Sequence, residues 1–548
     1  MSKSHLAGAT VISLNAAKQE RAYQSDSARH RLAAQIRELG ASQMIGEELI
    51  VACEQACAEF RASTNRPAEF HARVVPAHQN VDLAIEGLRA LLQKSAQDSE
   101  KSPDSFAAFE DSVHQQVMEI ERKAVQAKLE QFDPDAHGIL INGVPHRRVL
   151  TSEQEYDCAA GKVVVARGLY RPCAEPDALS VCPMELRAGI VCGTWSPRAA
   201  KQAVWAVSQL TPMKAEELFR RVGNMTPSKS GIGRLAARLS DRWEEEREEL
   251  EAALLLAIEV PKKTVSIAVS LDGVHIPMDR AEGNDASVSA TSAMVKSNSG
   301  SNYREAGCAT VSFCGANGEF LGAIRMARVP EHKKETLKHM LTGTVSEILR
   351  RRPDLTVVKI ADGARDNWTY LDSTALPRGP EVLDFFHASG QLHDAVESVF
   401  GADTHETKEW YSQLRTTLRY HKYGAGKVIS ALEGFQKDRP RNVTLQRELA
   451  YFRANKRRMK YATIAEQGMM IGSGVVEAAC KTLVTQRLKQ SGMRWSSRGA
   501  QSILTPRGWD QSDLFDKAWA LVAATYGGDI TVVANVIDIG STHDGKRR

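Results

Sequence analysis

The sequence VSIAVSLDG, at residues 265–273, is an apolar run that ends in an aspartate and a glycine. A second run of this kind, VVKIADG, covers residues 357–363. Short continuous apolar runs rich in Val and Ile predict strands that are buried on both faces of a sheet. Carboxylates at the ends of such strands project into the crevice where open α/β sheets bind their ligands. Asp272 and Asp362 are therefore predicted to reach one pocket, although an Asp-Gly turn after each strand is the alternative.

The segments around the two runs predict the rest of a sheet. Three strands, one helix and two further strands are expected, in that order, at residues 264–276, 309–314, 319–328, 331–352, 356–360 and 381–386. A three-stranded meander, a crossover helix and then a further strand are the order of a ribonuclease H-like fold. The fold class expected is α/β and multi-domain, with a ribonuclease H-like catalytic core that an all-helical insertion interrupts.

A third carboxylate is expected from a helix that follows the sheet. Carboxylate oxygens are the ligands that Mg²⁺ accepts, and two Mg²⁺ ions about 4 Å apart assist displacement at phosphorus. Glu477 lies one turn into a helix predicted at residues 473–489, with Ser473 as its N-cap. The alternative is a surface glutamate that the helix dipole favours near an N-terminus.

Three consecutive helix starts precede the predicted sheet. Ser196-Pro197, Thr211-Pro212 and Thr226-Pro227 each offer an N-cap followed by proline at the first helical position. This layout is typical of a helix-turn-helix, whose last helix reads the major groove of DNA. A compact three-helix bundle is the alternative, because it needs the same caps and turns. The last helix carries three basic residues that are expected to contact DNA: Lys229, Arg234 and Arg238.

The charge of the chain is unevenly distributed. The net charge is only +4, yet residues 441–510 contain 13 Lys and Arg against 4 Asp and Glu. A basic segment of this kind suits a polyanion, although a solvated helical face is the alternative. Four residues of the segment are expected to bind DNA, three through phosphates and the last by stacking: Arg487, Lys489, Arg494 and Trp495.

Composition argues against a membrane protein and against a secreted disulfide scaffold. No apolar stretch reaches the roughly 20 residues of a membrane span, and the N-terminus lacks the segments of an export signal. The nine cysteines form no CxxC pair, so they are expected to be reduced thiols. These features predict a cytoplasmic protein.

Four strings carry a resemblance to a known family: SLDGVHIP (270–277), ADGARDNW (361–368), LDFFH (383–387) and IGSGVVEAACKTLVTQRLKQSGMRW (471–495). They are similar to the insertion-sequence transposases of the ISKra family, a group related to the Mutator-like DDE transposases. The similarity extends over residues 151–510. The sequence departs from the family pattern at Gly390-Gln391, where a Glu-His pair is expected, and at Pro506, where an apolar residue is expected.

The resemblance implies a DDE triad of Asp272, Asp362 and Glu477 that holds two Mg²⁺ ions, with Mn²⁺ as an alternative. It also implies that Asp384 and His387 form the acidic-x-x-His motif of Mutator-like enzymes and support the triad. The activity implied is metal-dependent cleavage at the 3′ ends of an insertion sequence, followed by strand transfer. The partners implied are transposon ends, target DNA and further copies of the chain, as a dimer or a higher assembly at the bacterial nucleoid.

Two other functions use the same residues. A catalytically silent, transposase-derived DNA-binding regulator would need the helix-turn-helix alone, and a missing carboxylate would favour it. A structure-specific ribonuclease H-like nuclease would cut branched DNA without strand transfer. All three carboxylates are present in the sequence, which favours the transposase over the regulator.

The predicted domain organisation has six parts. They are a partly flexible N-terminal helical region (1–135), a small β-ribbon with the helix-turn-helix and a connector helix (136–260), the first part of the core (261–402), the all-helical insertion (403–468), the final core helix with the basic segment (469–525) and a C-terminal tail (526–548).

Overall fold

The computed structural model describes residues 77–97, 102–175, 177–279 and 302–532. The chain divides into two units, Met1–Pro76 and Ala77–Arg548, and every described residue belongs to the second unit. The N-terminal helical region predicted at residues 1–135 is described only from residue 77 onward, where it forms two helices. Residues 1–76 lie outside the described residues. In the described part of the chain, no helix is long and apolar enough to cross a membrane.

Strands and helices together give a mixed α/β fold. The strands of the described residues are β1 (Gly138–Ile141), β2 (Val144–Cys158), β3 (Gly161–Pro172), β4 (Ser266–Met278), β5 (Asn302–Cys314), β6 (Phe320–Arg328), β7 (Thr356–Ala361), β8 (Glu381–Leu383) and β9 (Ile530–Val532). The helices are α1 (Ala77–Gln97), α2 (Pro103–Phe132), α3 (Pro183–Ala188), α4 (Pro197–Gln209), α5 (Pro212–Val222), α6 (Lys229–Glu245), α7 (Arg247–Leu256), α8 (Glu335–Arg351), α9 (Arg365–Leu371), α10 (Phe385–Phe400), α11 (His405–Tyr420), α12 (Gly424–Asp438), α13 (Val443–Asn455), α14 (Tyr461–Glu466), α15 (Gly474–Ala479), α16 (Gln486–Leu488), α17 (Ser497–Asp510) and α18 (Phe515–Ala524).

The central sheet has the strand order β6-β5-β4-β7-β8. The first three of these strands pair antiparallel as a meander, and β7 and β8 run parallel to β4. Helix α8 connects β6 to β7, as the sequence predicts. Both faces of the sheet are covered, since Ile267 and Val269 belong to one buried cluster while Val358 and Ile360 belong to another. This double burial explains the continuous apolar runs of β4 and β7.

The last strand of the sheet is shorter than the sequence predicts. A strand is expected over residues 381–386, but β8 ends at Leu383. Asp384 begins helix α10 instead, because its carboxylate accepts a hydrogen bond from the backbone N–H of His387 at 2.7 Å. A side-chain cap therefore turns the chain from strand to helix at this residue.

A second sheet has the order β3-β2-β1-β9, and β1, β2 and β3 pair antiparallel in the region where the sequence predicts a β-ribbon. The turn between β1 and β2 uses Asn142 and Gly143, with φ angles of 48° and 79° as a two-residue hairpin requires. The segment from residue 526, predicted as a C-terminal tail, supplies β9, which pairs with β1. Residues 533–548 lie outside the described residues.

The helices between the two sheets begin largely as predicted. The side chains of Ser196 and Thr211 cap α4 and α5. The third cap differs from the prediction, because Ser228 and not Thr226 accepts the hydrogen bond that begins α6. The predicted connector helix is also divided, since the backbone of Glu246 leaves the helical conformation between α6 and α7.

The predicted all-helical insertion consists of α11 to α14 and a short 3₁₀ turn, Lys456–Arg458. Its apolar residues Leu418, Leu449 and Phe452 are buried together with α10 against the face of the sheet that Val358 and Ile360 form. The insertion therefore covers the sheet beside β7, where Asp362 follows the strand.

A buried carboxylate on α7 predicts how the stability of the protein depends on pH. Burial raises the pKa of Glu251 from 4.5 to about 7, and one of its carboxylate oxygens is buried without a hydrogen-bond partner. The unfolded chain therefore ionises first, and the free energy of unfolding falls as the pH rises from about 4.5 to 7. We expect Glu251→Gln to raise the free energy of unfolding at pH 8 by on the order of 2 kcal/mol and to change it little at pH 4.

Urea unfolding at the two pH values checks this expectation. Glu249→Gln is the matched control, because Glu249 lies on the same helix and is exposed. Equal stabilisation at both pH values by Glu251→Gln would contradict the expectation.

Candidate active site

Asp272 and Asp362 lie just beyond the point where the pairing of β4 with β7 ends. Asp362 follows β7, whereas β4 does not end at Asp272 as predicted but continues to Met278, paired with β5. β4 and β7 are parallel, and their register pairs Ser270 with Ile360, two residues before each aspartate. Asp272 is partly buried, and burial raises the pKa of its carboxyl, with a further increase from the negative charge of Asp362. The two carboxylates therefore face one another closely enough to repel.

Asn367 ties β4 to the residue that follows β7, a role that the sequence does not reveal. It is buried on α9, and its amide donates to the backbone carbonyl of Leu271 at 3.2 Å and to Oδ1 of Asp362 at 3.1 Å. The backbone N–H of Ala364 donates to the same carboxylate oxygen at 3.1 Å. One oxygen of Asp362 is thus held in place, and the position of Asp362 relative to β4 is fixed.

The backbone of Asp362 is held by a second residue of α9. The indole N–H of Trp368 donates to the carbonyl of Asp362 at 2.6 Å. Arg458, from the 3₁₀ turn of the insertion, stacks on the indole at 3.8 Å from the ring centroid and donates to Asp372 at 2.6 Å and to Glu381 at 3.1 Å. The end of the insertion therefore braces the strand end that carries Asp362.

Asp384 connects α10 to the segment before α15. It is fully buried, and its second carboxylate oxygen accepts the backbone N–H of Ser473. The sequence predicts Ser473 as the N-cap of the last core helix, but its side chain caps nothing there. The backbone N–H of Ser473 donates to Asp384 instead. The hydroxyl of Ser473 donates to Oε1 of Glu477 at 3.4 Å. Both oxygens of Asp384 are thus used in positioning the chain.

Glu477 enters the site from α15. Its Oε1 lies 3.4 Å from Nε2 of His387, and both side chains are 42% exposed. Ligand atoms of Asp384, His387 and Glu477 all lie within 4.8 Å of one another. Burial raises the pKa of Glu477, and the charges of Asp384 and Asp272 raise it further. Glu477 is therefore within electrostatic range of the sheet edge.

The helix after Glu477 contacts Asp272 directly. The Cys480 thiol lies 3.5 Å from Oδ2 of Asp272, to which it donates. The neighbouring Cys308 and burial raise the pKa of this thiol, so that it stays protonated and donates. The three predicted carboxylates are thus brought to one region of the described chain. The positive charge of Lys334 lowers the pKa of Asp272, but burial and Asp362 outweigh it. Such an oxygen-rich set fits a hard divalent cation.

The residues predicted to bind DNA fall into two groups. Lys229, Arg234, Lys489 and Arg494 are exposed, as is Arg238, which donates to the carbonyl of Cys192 at 2.8 Å. The second group consists of Arg487 and Trp495. These two residues contact the rest of the protein, which corrects the prediction that they bind DNA.

Arg487 and Trp495 are structural residues. Arg487 is only 1% exposed, it donates to the carbonyl of Val207, and burial lowers its pKa to about 10. The indole N–H of Trp495 donates to the carbonyl of Leu488 at 3.0 Å, and the ring packs against the main core. The sequence cannot distinguish these two from exposed neighbours, because basic and aromatic residues after a helix occur in both environments.

Comparisons with known proteins leave the chain without a demonstrated family. No protein-family model matches it, and no curated protein matches it. Among solved structures, the Drosophila P element transposase strand transfer complex is similar at 9% identity with a TM-score of 0.28, over 58% of this chain and 91% of that chain. At this TM-score the likeness is too slight to support a conclusion on fold or activity.

We expect Asp272→Asn to stabilise the protein when no divalent metal is present. The substitution removes one of the repelling, partly buried charges, so Tm should rise by about 2 °C in EDTA. The same variant should lose most of the rise in Tm that Mg²⁺ produces in the natural chain, because a ligand stabilises only the state that binds it. Differential scanning calorimetry measures both effects. Asp366→Asn is the control, since Asp366 is exposed on α9, and an equal response from it would contradict the expectation.

We expect Asn367→Ala to weaken metal binding without removing a metal ligand. The Leu271 carbonyl loses a donor and Asp362 loses part of its orientation, so Mg²⁺ affinity should fall about tenfold. Isothermal titration calorimetry of the metal-free protein provides the measurement. Thr369→Ala, an exposed position on the same helix, serves as control, and unchanged affinity in a folded Asn367→Ala protein would rule out the positioning role.

Proposed function

We propose that this protein is a DDE-type DNA transposase that cuts the 3′ ends of an insertion sequence and joins them to target DNA. The observation that carries the proposal is the meeting of Asp272, Asp362 and Glu477, which come from the middle of β4, from the residue after β7 and from a later helix. The strand order β6-β5-β4-β7-β8, with a three-stranded meander followed by parallel strands, supports a ribonuclease H-like core. The all-helical insertion between β8 and α15 agrees with the resemblance stated for the sequence.

In this proposal the three carboxylates hold two Mg²⁺ ions, or Mn²⁺ in their place. Bound there, the ions would neutralise charge on a scissile phosphate. Asp362 offers its free oxygen because Asn367 and Ala364 occupy the other. His387 orients Glu477 through the 3.4 Å contact, and Asp384 fixes the segment that leads into α15. Cleavage and strand transfer would use the same pocket, because each is an in-line displacement at phosphorus.

DNA would be held outside the pocket by separate basic surfaces. Helices α4, α5 and α6 would act as the helix-turn-helix, with Lys229, Arg234 and Arg238 on the exposed side of α6. Lys489 and Arg494 would contact phosphates after the active-site helix. Two transposon ends must be held at once, so the active form would be a dimer or a higher assembly at the bacterial nucleoid.

Cleavage of labelled DNA tests the proposal. The substrate is a duplex that contains the inverted repeats beside the gene, and nicking is followed in Mg²⁺, in Mn²⁺ and in EDTA. Asp272→Asn, Asp362→Asn and Glu477→Gln should each lower the nicking rate by at least about 1,000-fold, because each removes the charge of a metal ligand while the volume stays similar. Binding of the duplex should remain within about twofold.

Asp366→Asn is the control and should nick normally, since Asp366 is exposed on α9 and is not a proposed metal ligand. Normal nicking by Asp272→Asn would remove the triad from the mechanism. Nicking without joining of the ends to a plasmid would identify a nuclease, and binding without nicking would identify a regulator.

A further inference from the structure

The turn between α11 and α12 exposes two tyrosines. Tyr420 ends α11 and Tyr423 precedes α12, and the two side chains are 68% and 70% exposed. Large aromatic side chains usually bury most of their surface. Two exposed within one short turn indicate a surface for contact with another molecule. We call residues 420–423 the aromatic turn.

The aromatic turn and the helix ends beside it carry basic residues that are not paired with acidic groups of the described chain. Ion pairs on the two helices occur elsewhere, at His405–Glu409 and Arg453–Glu433. Along the helices, Glu409 and Glu433 are the nearest acidic residues, and each lies about three helical turns from the tyrosines. Four basic residues at or near the turn form no ion pair with any described residue: Arg415, Arg419, Lys422 and Lys427.

The conformation of the turn is fixed by its own backbone. A side chain at Gly424 would begin 2.4 Å from the carbonyl oxygen of Thr417, so only glycine permits this close approach of the two helices. The Gly424 N–H donates to the carbonyl of His421 at 2.8 Å, and the Tyr423 N–H donates to the His421 ring at 3.0 Å. The two tyrosines are thus presented from a rigid support, which lowers the entropy cost of binding.

A chain of stacked groups links the turn to the candidate active site. The guanidinium group of Arg419 lies 5.2 Å from the ring of Tyr420 and 5.4 Å from the ring of Phe385, which Arg415 also approaches. Phe385 directly follows Asp384 and begins the helix that carries His387. The aromatic turn therefore lies within a few side chains of the proposed catalytic pocket.

We propose that the aromatic turn binds single-stranded DNA, with unpaired bases stacked on Tyr420 and Tyr423 and phosphates contacted by Arg419 and Lys422. Exposed aromatic rings interspersed with cations are the arrangement that recognises unpaired strands, because base faces are accessible only outside the duplex. A second copy of the chain fits less well, since phosphates complement the basic residues of the turn and a chain with a net charge of +4 supplies no overall negative charge. The assignment deepens the proposed function and rests on it for the identity of the strand, which is DNA opened beside the cleavage site.

Fluorescence anisotropy with the full chain in EDTA tests the assignment. The probes are a labelled 20-nucleotide oligo(dT) and a labelled 20-base-pair duplex. We expect Tyr420→Leu/Tyr423→Leu to weaken binding of oligo(dT) by at least about tenfold and to change duplex binding by less than about twofold. Tyr420→Phe/Tyr423→Phe retains the rings and should bind oligo(dT) like the natural chain.

The contribution of charge is tested by comparing a lysine of the turn with a lysine of α11. Lys422→Ala should lower oligo(dT) affinity and reduce its dependence on salt, whereas Lys408→Ala, at the opposite end of α11, should not. Circular dichroism and the Tm of each variant establish that it is folded.

Three outcomes would overturn the assignment. One is unchanged oligo(dT) binding by a folded double leucine variant. Another is an equal loss of binding to single-stranded DNA and to the duplex, which would show that the turn binds the phosphate backbone of duplex DNA. The third is a change in oligomeric state, seen by light scattering, without a change in DNA binding, which would identify a contact between copies. Failure of the natural chain to nick DNA in Mg²⁺ would refute the proposed function and leave these binding results unaffected.

Discussion

Mutual repulsion among carboxylates is the constraint on which the rest of the structure depends. Burial raises the pKa of both Asp272 and Glu477. The charge of Asp362 raises the pKa of Asp272 further, and the charge of Asp272 does the same for Glu477. Both effects disfavour the charged form and oppose the arrangement when no cation is present. The fold must therefore supply the free energy that holds the three groups together, and it does so through buried hydrogen bonds and close packing around the site.

Those stabilising contacts come from segments that are distant in the chain. Asn367 joins the middle of β4 to the end of β7, Asp384 joins α10 to the segment before α15, and Arg458 brings the end of the insertion onto Trp368. Each contact is buried, and a buried polar group is costly when its partner is lost. The insertion thus has a structural consequence beyond covering the sheet, because its last turn helps to determine where Asp362 lies.

The sequence reveals the parts of this arrangement that depend on local pattern. The strands that carry Asp272 and precede Asp362 are recognised from their apolar runs, and the caps at Ser196 and Thr211 from residue type. The continuation of β4 beyond Asp272 depends on its pairing with β5, which the apolar run does not reveal. The prediction of Glu477 as the third carboxylate required the family resemblance as well as the helix pattern. The roles of Asn367, Ser473 and Arg487 depend instead on residues that are distant in the chain but close in the fold. A single sequence does not show which distant residues come into contact. Ser473 illustrates the difference, because its residue type favours a cap while the buried carboxylate of Asp384 takes its N–H.

The helix after Glu477 shows how one element meets two requirements. Glu477 must face the polar pocket, yet Leu483, Val484 and Leu488 must enter the main core. A regular helix repeats every 3.6 residues, whereas the segment Cys480–Thr485 is π-helical and so shifts the phase of the residues that follow. Cys480 lies at the start of this shift, with its thiol on Asp272. Because π segments weaken the regular hydrogen-bond ladder, their presence here indicates that burial of the three apolar residues and the contact with Asp272 together outweigh that cost. The phase shift lets the helix pack into the core without withdrawing Glu477 from the carboxylates of the sheet.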